Sequence, residues 1–196
     1  MPVNEPNSIT KPVDCSNNNK SLKYSQLVSF YQNISNERVK SRKYLKVEKF
    51  FQFHRDNVGN DFYALLRLLL PERERERNFY GIREVIIAKI YVDILGIDKQ
   101  SQTAKSLLNC NWKLPTTSDN DDNINGTDFP NVLYKVVKSR LSITKQSNLN
   151  IDDINTYLDR LSTAKSYNDK KSIIRELSNV CDSDEQIWFV RILLGS

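Results

Sequence analysis

An all-α fold is predicted for this chain on three observations. From Leu22 onward apolar residues recur at helical spacing almost throughout. No two short apolar runs are joined by a hairpin signal, "VLYKVV" included. Pro71 and Gly96 stand where two of the periodic segments should stop. The 196 residues suffice for a proper core. Apolar content of 39% is too high for a disordered chain, although a mean hydropathy of −0.56 marks a polar surface.

In chain order, residues 1–20 ("MPVNEPNSITKPVDCSNNNK") are rich in Pro, Asn and Ser without periodicity and read as a flexible tail. Leu27, Tyr31 and Ile34 make a first apolar stripe; Tyr44, Val47, Phe51 and His54 make a second. Asp61 is placed to cap a compact helix, Phe62 to Leu70, which Pro71 halts. Ile82, Ile86, Ile90 and Ile94 recur at i+4, and Gly96 follows as a C-terminal stop. Pro115 to Pro130 ("PTTSDNDDNINGTDFP") carries four aspartates and no cation, which suits a solvated loop. Further helices are expected around Val132–Leu141, Ile151–Leu161, Lys170–Val180 and Asp184–Leu194. For the last of these, Ser183 and Gln186 have capping-box spacing. The prediction is nine or ten helices in two lobes, about 21–114 and about 131–196, joined by loop 115–130 within one unit, 21–196.

Little of this sequence suits catalysis. One histidine, His54, excludes a multi-histidine metal site, and on an aromatic helix face it reads as a buried or boundary residue. Cys15, Cys110 and Cys181 form neither a disulfide framework nor a Cys-x-x-Cys zinc pattern, which suits a reducing compartment. The five glycines make no phosphate-cradling loop or dinucleotide fingerprint. The pairs Asp152/Asp153 and Asp182/Asp184 lie at expected helix starts, where acids are stabilising in any case. No apolar run is long enough to span a bilayer and the N-terminus lacks the order of a signal peptide, so no membrane partner is expected. No metal, cofactor or self-contained active site is expected in this chain.

The cations are more informative. A net charge of +5 and a pI near 9.0 suit a polyanionic partner or simply a basic surface. Between Arg38 and Arg55 seven cations face one acid, Glu48, and Arg38, Lys40, Arg42 and Lys43 gather at a loop and helix start. Lys165, Lys170 and Lys171 repeat the arrangement before "SIIREL". There Asn168 reads as the N-cap and the last two lysines fall in the first turn. The macrodipole disfavours cations at that end, so an anion would make them useful: free N–H groups with nearby lysines form a phosphate seat. As exposed charges, Lys170 and Lys171 should contribute little to stability. Glu/Arg residues three apart in "PERERERNFYGIRE" (72–75, 73–76, 74–77) suit pairing along a helix surface. Trp112 and Trp188, beside apolar neighbours, suit packing more than base stacking.

"DFYALLRLLLPERERERNFYGIREVIIAKIYVDILGI" (61–97) followed by "AKSLLNCNWKLP" (104–115) resembles the N-terminal DNA-binding domain of ATP-dependent DNA ligases, closest to the ligase IV type of non-homologous end joining. The matching pieces include Phe62-Tyr63, Leu69-Leu70-Pro71, the Arg-rich turn, Tyr80-Gly81-Ile82 with Arg83-Glu84, and Ala88-Lys89-Ile90-Tyr91. "IDDINTYLDRLS" (151–162), "KKSIIREL" (170–177) and "EQIWFVRILL" (185–194) follow in the family's order.

The resemblance implies an all-helical pair of lobes gripping the minor groove around a nick or break through sequence-independent sugar-phosphate contacts. By position it assigns backbone contact to Lys165, Lys170 and Lys171, and to Arg38, Lys40, Arg42 and Lys43. Arg83 and Lys89 match too, with salt bridges to Glu84 or Asp93 as the alternative. It further implies double-stranded or nicked DNA as partner, double-strand-break repair in the nucleus, and a parent enzyme that uses ATP and Mg. The family's Lys-x-Asp-Gly nucleophile motif has no counterpart here, since the chain contains no Asp-Gly, so this part alone should not be catalytic. The alternative role is protein docking: helix 44–54, with Tyr44, Phe50, Phe51 and Phe53, would recruit an end-joining nuclease or another repair protein. A monomer is expected.

Overall fold

The computed structural model describes residues 21–77, 80–108, 128–140 and 147–195. Among these are nine α-helices and no β-strand, as the sequence predicts. They are α1 (Tyr24–Ser35), α2 (Lys40–Asn57), α3 (Tyr63–Leu69), α4 (Glu84–Ile94), α5 (Gln102–Leu108), α6 (Phe129–Arg140), α7 (Ile151–Thr163), α8 (Tyr167–Ser178) and α9 (Ser183–Leu194). None of the described helices is long and apolar enough to cross a membrane. The tail, Trp112, Cys15, Cys110 and most of loop 115–130 lie outside the described residues.

Each helix exists for a local reason and survives for a tertiary one. In α7, Ile151, Ile154, Leu158 and Leu161 fall on one face and are all buried. Each such side chain, fully buried, contributes roughly 1.5–3 kcal/mol of transfer free energy. Acids occupy its first turn, and the Asp153 carboxylate accepts the backbone N–H of Asn150 at 2.8 Å. α9 buries Ile187, Phe189, Val190, Ile192 and Leu193 around nearly its whole circumference, the pattern of a central helix. It packs against α6 and α1, while α7 packs against α1, α3 and α8, and α4 against α5 and α8.

One apolar cluster draws on helices from both halves of the chain. The lead into α1 is pinned to the lead into α7: Tyr24 N–H donates to Leu149 O at 2.8 Å and Ile151 N–H to Leu22 O at 2.9 Å. Beneath this bridge the buried Tyr24 hydroxyl donates to Glu185 O at 3.0 Å, and Ser147 donates to the Glu185 carboxylate at 2.6 Å. Burial pushes the Glu185 carboxyl up, against the bond from Ser147. Cys181 is also buried, with a thiol pushed up by burial.

Several helix ends differ from expectation. Asp61 does cap α3, accepting Tyr63 N–H at 2.9 Å, but the helix ends at Leu69 and Pro71 opens a short 3-10 turn, Pro71–Arg73. The "ERERER" run is otherwise not helical, and of the three expected pairs only Glu74–Arg77 forms, at 3.9 Å. α9 is capped by Asp182 with Glu185, one residue before the expected Ser183–Gln186 box, because Asp182 accepts Glu185 N–H at 2.8 Å. Gln186 instead lies buried, donating to Ser178 O and Cys181 O. α6 begins at Phe129, since Pro130 is tolerated in a first turn. In α2 the buried residues are Phe50 and His54, not Tyr44, whose side chain is 63% exposed. Gly96 closes α4 as expected, in the left-handed conformation.

Candidate nucleic-acid interface

The start of α2 matches the sequence reading. Val39 is its N-cap, extended and without a side-chain acceptor for the first-turn N–H groups. Arg38, Lys40 and Arg42 are exposed and Lys43 is half-buried. None of the four makes an ion pair among the described residues. Lys40 lies only over the Tyr44 ring, 5.9 Å from its centroid. The nearby acid, Glu37, is already engaged by Lys46 at 3.0 Å, and that bond holds its carboxyl below the usual carboxylate range. Four uncompensated cations therefore share one helix turn with free N–H donors, an arrangement that favours an anion twice over.

The start of α8 departs from the sequence reading. Its N-cap is Ser166, not Asn168: the Ser166 hydroxyl accepts Asp169 N–H at 3.1 Å, while the Asp169 carboxylate accepts Ser166 N–H at 3.3 Å. A Ser and an Asp three residues apart outcompete a lone Asn, because the reciprocal box satisfies two orphan donors. Lys170 and Lys171 consequently follow the first turn, which holds an acid. Both turn back onto the molecule. Lys171 pairs with Asp93 on α4 at 2.7 Å, and Tyr167 donates to the same carboxylate at 3.2 Å. The bond from Lys171 holds the Asp93 carboxyl below its ordinary range. Lys170 donates to the Tyr80 carbonyl oxygen at 2.9 Å. Lys165 is exposed on the α7–α8 connection without an ion pair among the described residues. The expectation that Lys170 and Lys171 hardly matter for stability is therefore replaced: both tie α8 to α4 and the segment before it.

The Arg-rich turn holds a second set of internal cations. Arg77, with a side chain 3% exposed, donates to Asp159 at 2.7 Å and to Asn155 O at 3.2 Å. Arg67 reaches the same Asp159 at 2.8 Å and also pairs with Glu74. Burial alone would raise the Glu74 and Asp159 carboxyls, but the bonds from these arginines outweigh it and lower both. This knot joins α3, the turn and α7, which agrees with a structural use of the run. Arg83 and Lys89, by contrast, are exposed without ion pairs among the described residues; Asp93 is taken by Lys171. Sequence spacing missed this because it paired Lys89 with the acid four residues on.

The four aromatic candidates on α2 separate. Phe50 is buried and stacks on Phe30 at 4.0 Å between centroids, and Phe51 packs on Phe62 at 5.5 Å. Tyr44 is 63% and Phe53 38% exposed, joined by Leu45, which the helical stripe did not single out. A cavity of about 520 Å³ opens between α1 and α2, lined by Phe30, Phe50 and Phe53 with Lys46 and Lys49 among its polar residues. His54 is buried, its Nδ1 unpartnered, and burial lowers its pKa. Trp188 is half-buried and stacks on Tyr31 at 4.8 Å, a packing role as expected.

Comparison with known proteins agrees with this architecture. The family model for the DNA ligase N terminus matches residues 23–196. The chain is 33% identical over 188 residues to DNA ligase 4 of Cryptococcus neoformans var. neoformans, covering 95% of this chain and 17% of that protein. It is 36% identical over 172 residues to DNA ligase 4 of Coprinopsis cinerea, covering 87% of this chain and 16% of that protein. A third relative, DNA ligase 4 of Dictyostelium discoideum, is 36% identical over 179 residues, 89% of this chain and 16% of the relative. The chain thus spans only 16–17% of the length of these three relatives. With a match that runs through every described helix, the chain belongs to the DNA ligase N-terminal family.

Proposed function

We propose that this chain is the non-catalytic DNA-binding part of an ATP-dependent ligase of the ligase IV type. It would hold duplex DNA around a nick or break by sequence-independent contacts to the sugar-phosphate backbone, in nuclear double-strand-break repair by non-homologous end joining. The observation that carries the reading is the start of α2, where Arg38, Lys40, Arg42 and Lys43 have no acid partner and no side-chain cap. Lys165 and Lys170 extend the same proposal to the other basic segment. Lys171 enters it last, because Asp93 already takes its charge. The ATP and Mg used for sealing belong to the parent enzyme, and this part alone is proposed to bind as a monomer without sealing.

The test is binding of a fluorescent nicked duplex, titrated across salt. Phosphate contacts make log K fall linearly with log salt, with a slope of about −0.9 per contact. Salt-sensitive binding that is independent of base sequence supports the proposal; no binding at low salt rejects it.

A second reading, protein docking, is favoured by the exposure of Tyr44, Leu45 and Phe53 beside the α1–α2 cavity. An apolar contact of this kind to an end-joining nuclease or other repair protein tolerates salt and is abolished by Tyr44→Ala/Phe53→Ala, which leaves DNA binding intact.

A further inference from the structure

Two glycines of this chain share one backbone conformation and differ in what lies beyond them. Gly81 has φ +59° and Gly96 has φ +58°, a region that costs other L residues roughly 1–2 kcal/mol. A Cβ at Gly96 would meet nothing within 4 Å, whereas one at Gly81 would stand 3.4 Å from Lys170 Nζ. The Lys170 ammonium therefore lies directly under the open side of the Tyr80–Gly81 turn.

That ammonium is half-buried and lacks a counter-ion. Its protein partner is the Tyr80 carbonyl oxygen at 2.9 Å, and it makes no ion pair among the described residues. Lys171 next to it is neutralised by Asp93 at 2.7 Å, so the difference is not a general lack of acids on this face. An ammonium carries three donors, and Tyr80 uses one. Arg83, two residues beyond Gly81, is exposed and adds uncompensated positive charge; Glu84, the acid nearest in sequence, pairs with neither cation. A phosphate oxygen bonded to this ammonium would stand about 2.7–2.9 Å from Nζ, within the space that a side chain at position 81 would fill.

We infer that the Tyr80–Gly81 turn seats one backbone phosphate of duplex DNA, bound by Lys170 Nζ through the opening that Gly81 leaves. The inference rests on the DNA-binding reading above and names for it a ligand atom and a residue that must stay small. Gly96 supplies the control. It has the same backbone strain, and it lies at the other end of α4, about 16 Å away at 1.5 Å per residue.

The experiment is the salt titration of the fluorescent nicked duplex with the whole chain and with Gly81→Ala, Gly96→Ala and Lys170→Gln, each melted to check folding. Both glycine variants should lose similar thermal stability. Gly96→Ala should bind like the unaltered chain. Gly81→Ala and Lys170→Gln should each bind about tenfold more weakly, the scale of one hydrogen bond to a charged group. Each should also lower the salt slope by about 0.9. Equal binding by the two glycine variants overturns the seat and leaves the DNA-binding reading standing. If the unaltered chain shows no salt-dependent binding, the DNA-binding reading itself is overturned, and the seat with it. Should Lys170→Gln fail to fold, the glycine pair still decides.

Discussion

Segments 37–43 and 165–171 look alike in sequence and end differently in the fold. Each is a run of cations leading into a helix. At α2 the helix has no side-chain cap and its cations stay in solvent. At α8 a Ser166–Asp169 box closes the first turn, and the lysines after it are drawn onto α4 and Tyr80. The difference teaches that a basic run becomes a binding surface only where no acid from elsewhere in the chain reaches it. Arg77 marks the extreme of the held class and Arg38 the extreme of the free class.

The largest effect expected is at the held extreme. Arg77→Ala should destabilise the fold by about 3 kcal/mol, because it removes a buried partner of Asp159 and Asn155. Chemical denaturation measures it, and a loss under about 0.5 kcal/mol would show that the knot is no more than a surface pair.

At the free extreme the large effect falls on binding. Replacing Arg38, Lys40, Arg42 and Lys43 together with glutamine should lower the salt slope for duplex DNA by about 0.9 for each phosphate that these cations neutralise. Stability should hold or rise slightly, since cations at a helix N-terminus are unfavourable by about 0.3–1 kcal/mol each at most. Marked destabilisation would transfer these residues to the held class.

A smaller effect distinguishes the two lysines of α8. Lys171→Met should cost about 1 kcal/mol, discounted because both partners remain a quarter exposed. Its signature is pH dependence. Asp93 is depressed in the folded state by Lys171, so the pair contributes above the unfolded carboxylate value near 3.9 and is lost as pH falls below it. The Lys171→Met penalty should therefore shrink in acid. A penalty unchanged at pH 2 would mean that the lysine acts through its alkyl chain.

The smallest effect swaps the helix starts. Val39→Ser gives α2 the cap it lacks and should stabilise by up to about 1 kcal/mol, while Ser166→Ala should cost about 1 kcal/mol. Thermal melts compare the two directly. If Val39→Ser gives no gain, then solvent already satisfies those N–H groups.

The sequence by itself determined the all-α class, the periodic faces of α1, α7 and α8 and the stop at Gly96, because helical spacing, caps and left-handed glycines act over a few residues. It located the basic segments and the split nature of the aromatic helix for the same reason. It misplaced the caps of α8 and α9 by one or two residues, where neighbouring Ser, Asn and Asp compete for one helix start. Only the tertiary structure decided which cations remain free. Asp93 meets Lys171 across 78 residues and Asp159 meets Arg77 across 82, so no local pattern announces either pair. Likewise Tyr44 and Phe50 lie on one helix six residues apart, yet only Phe50 is buried, because the stacking ring of Phe30 comes from α1. Local chemistry makes a helix; what that helix has left to offer a ligand is settled by the chain that packs around it.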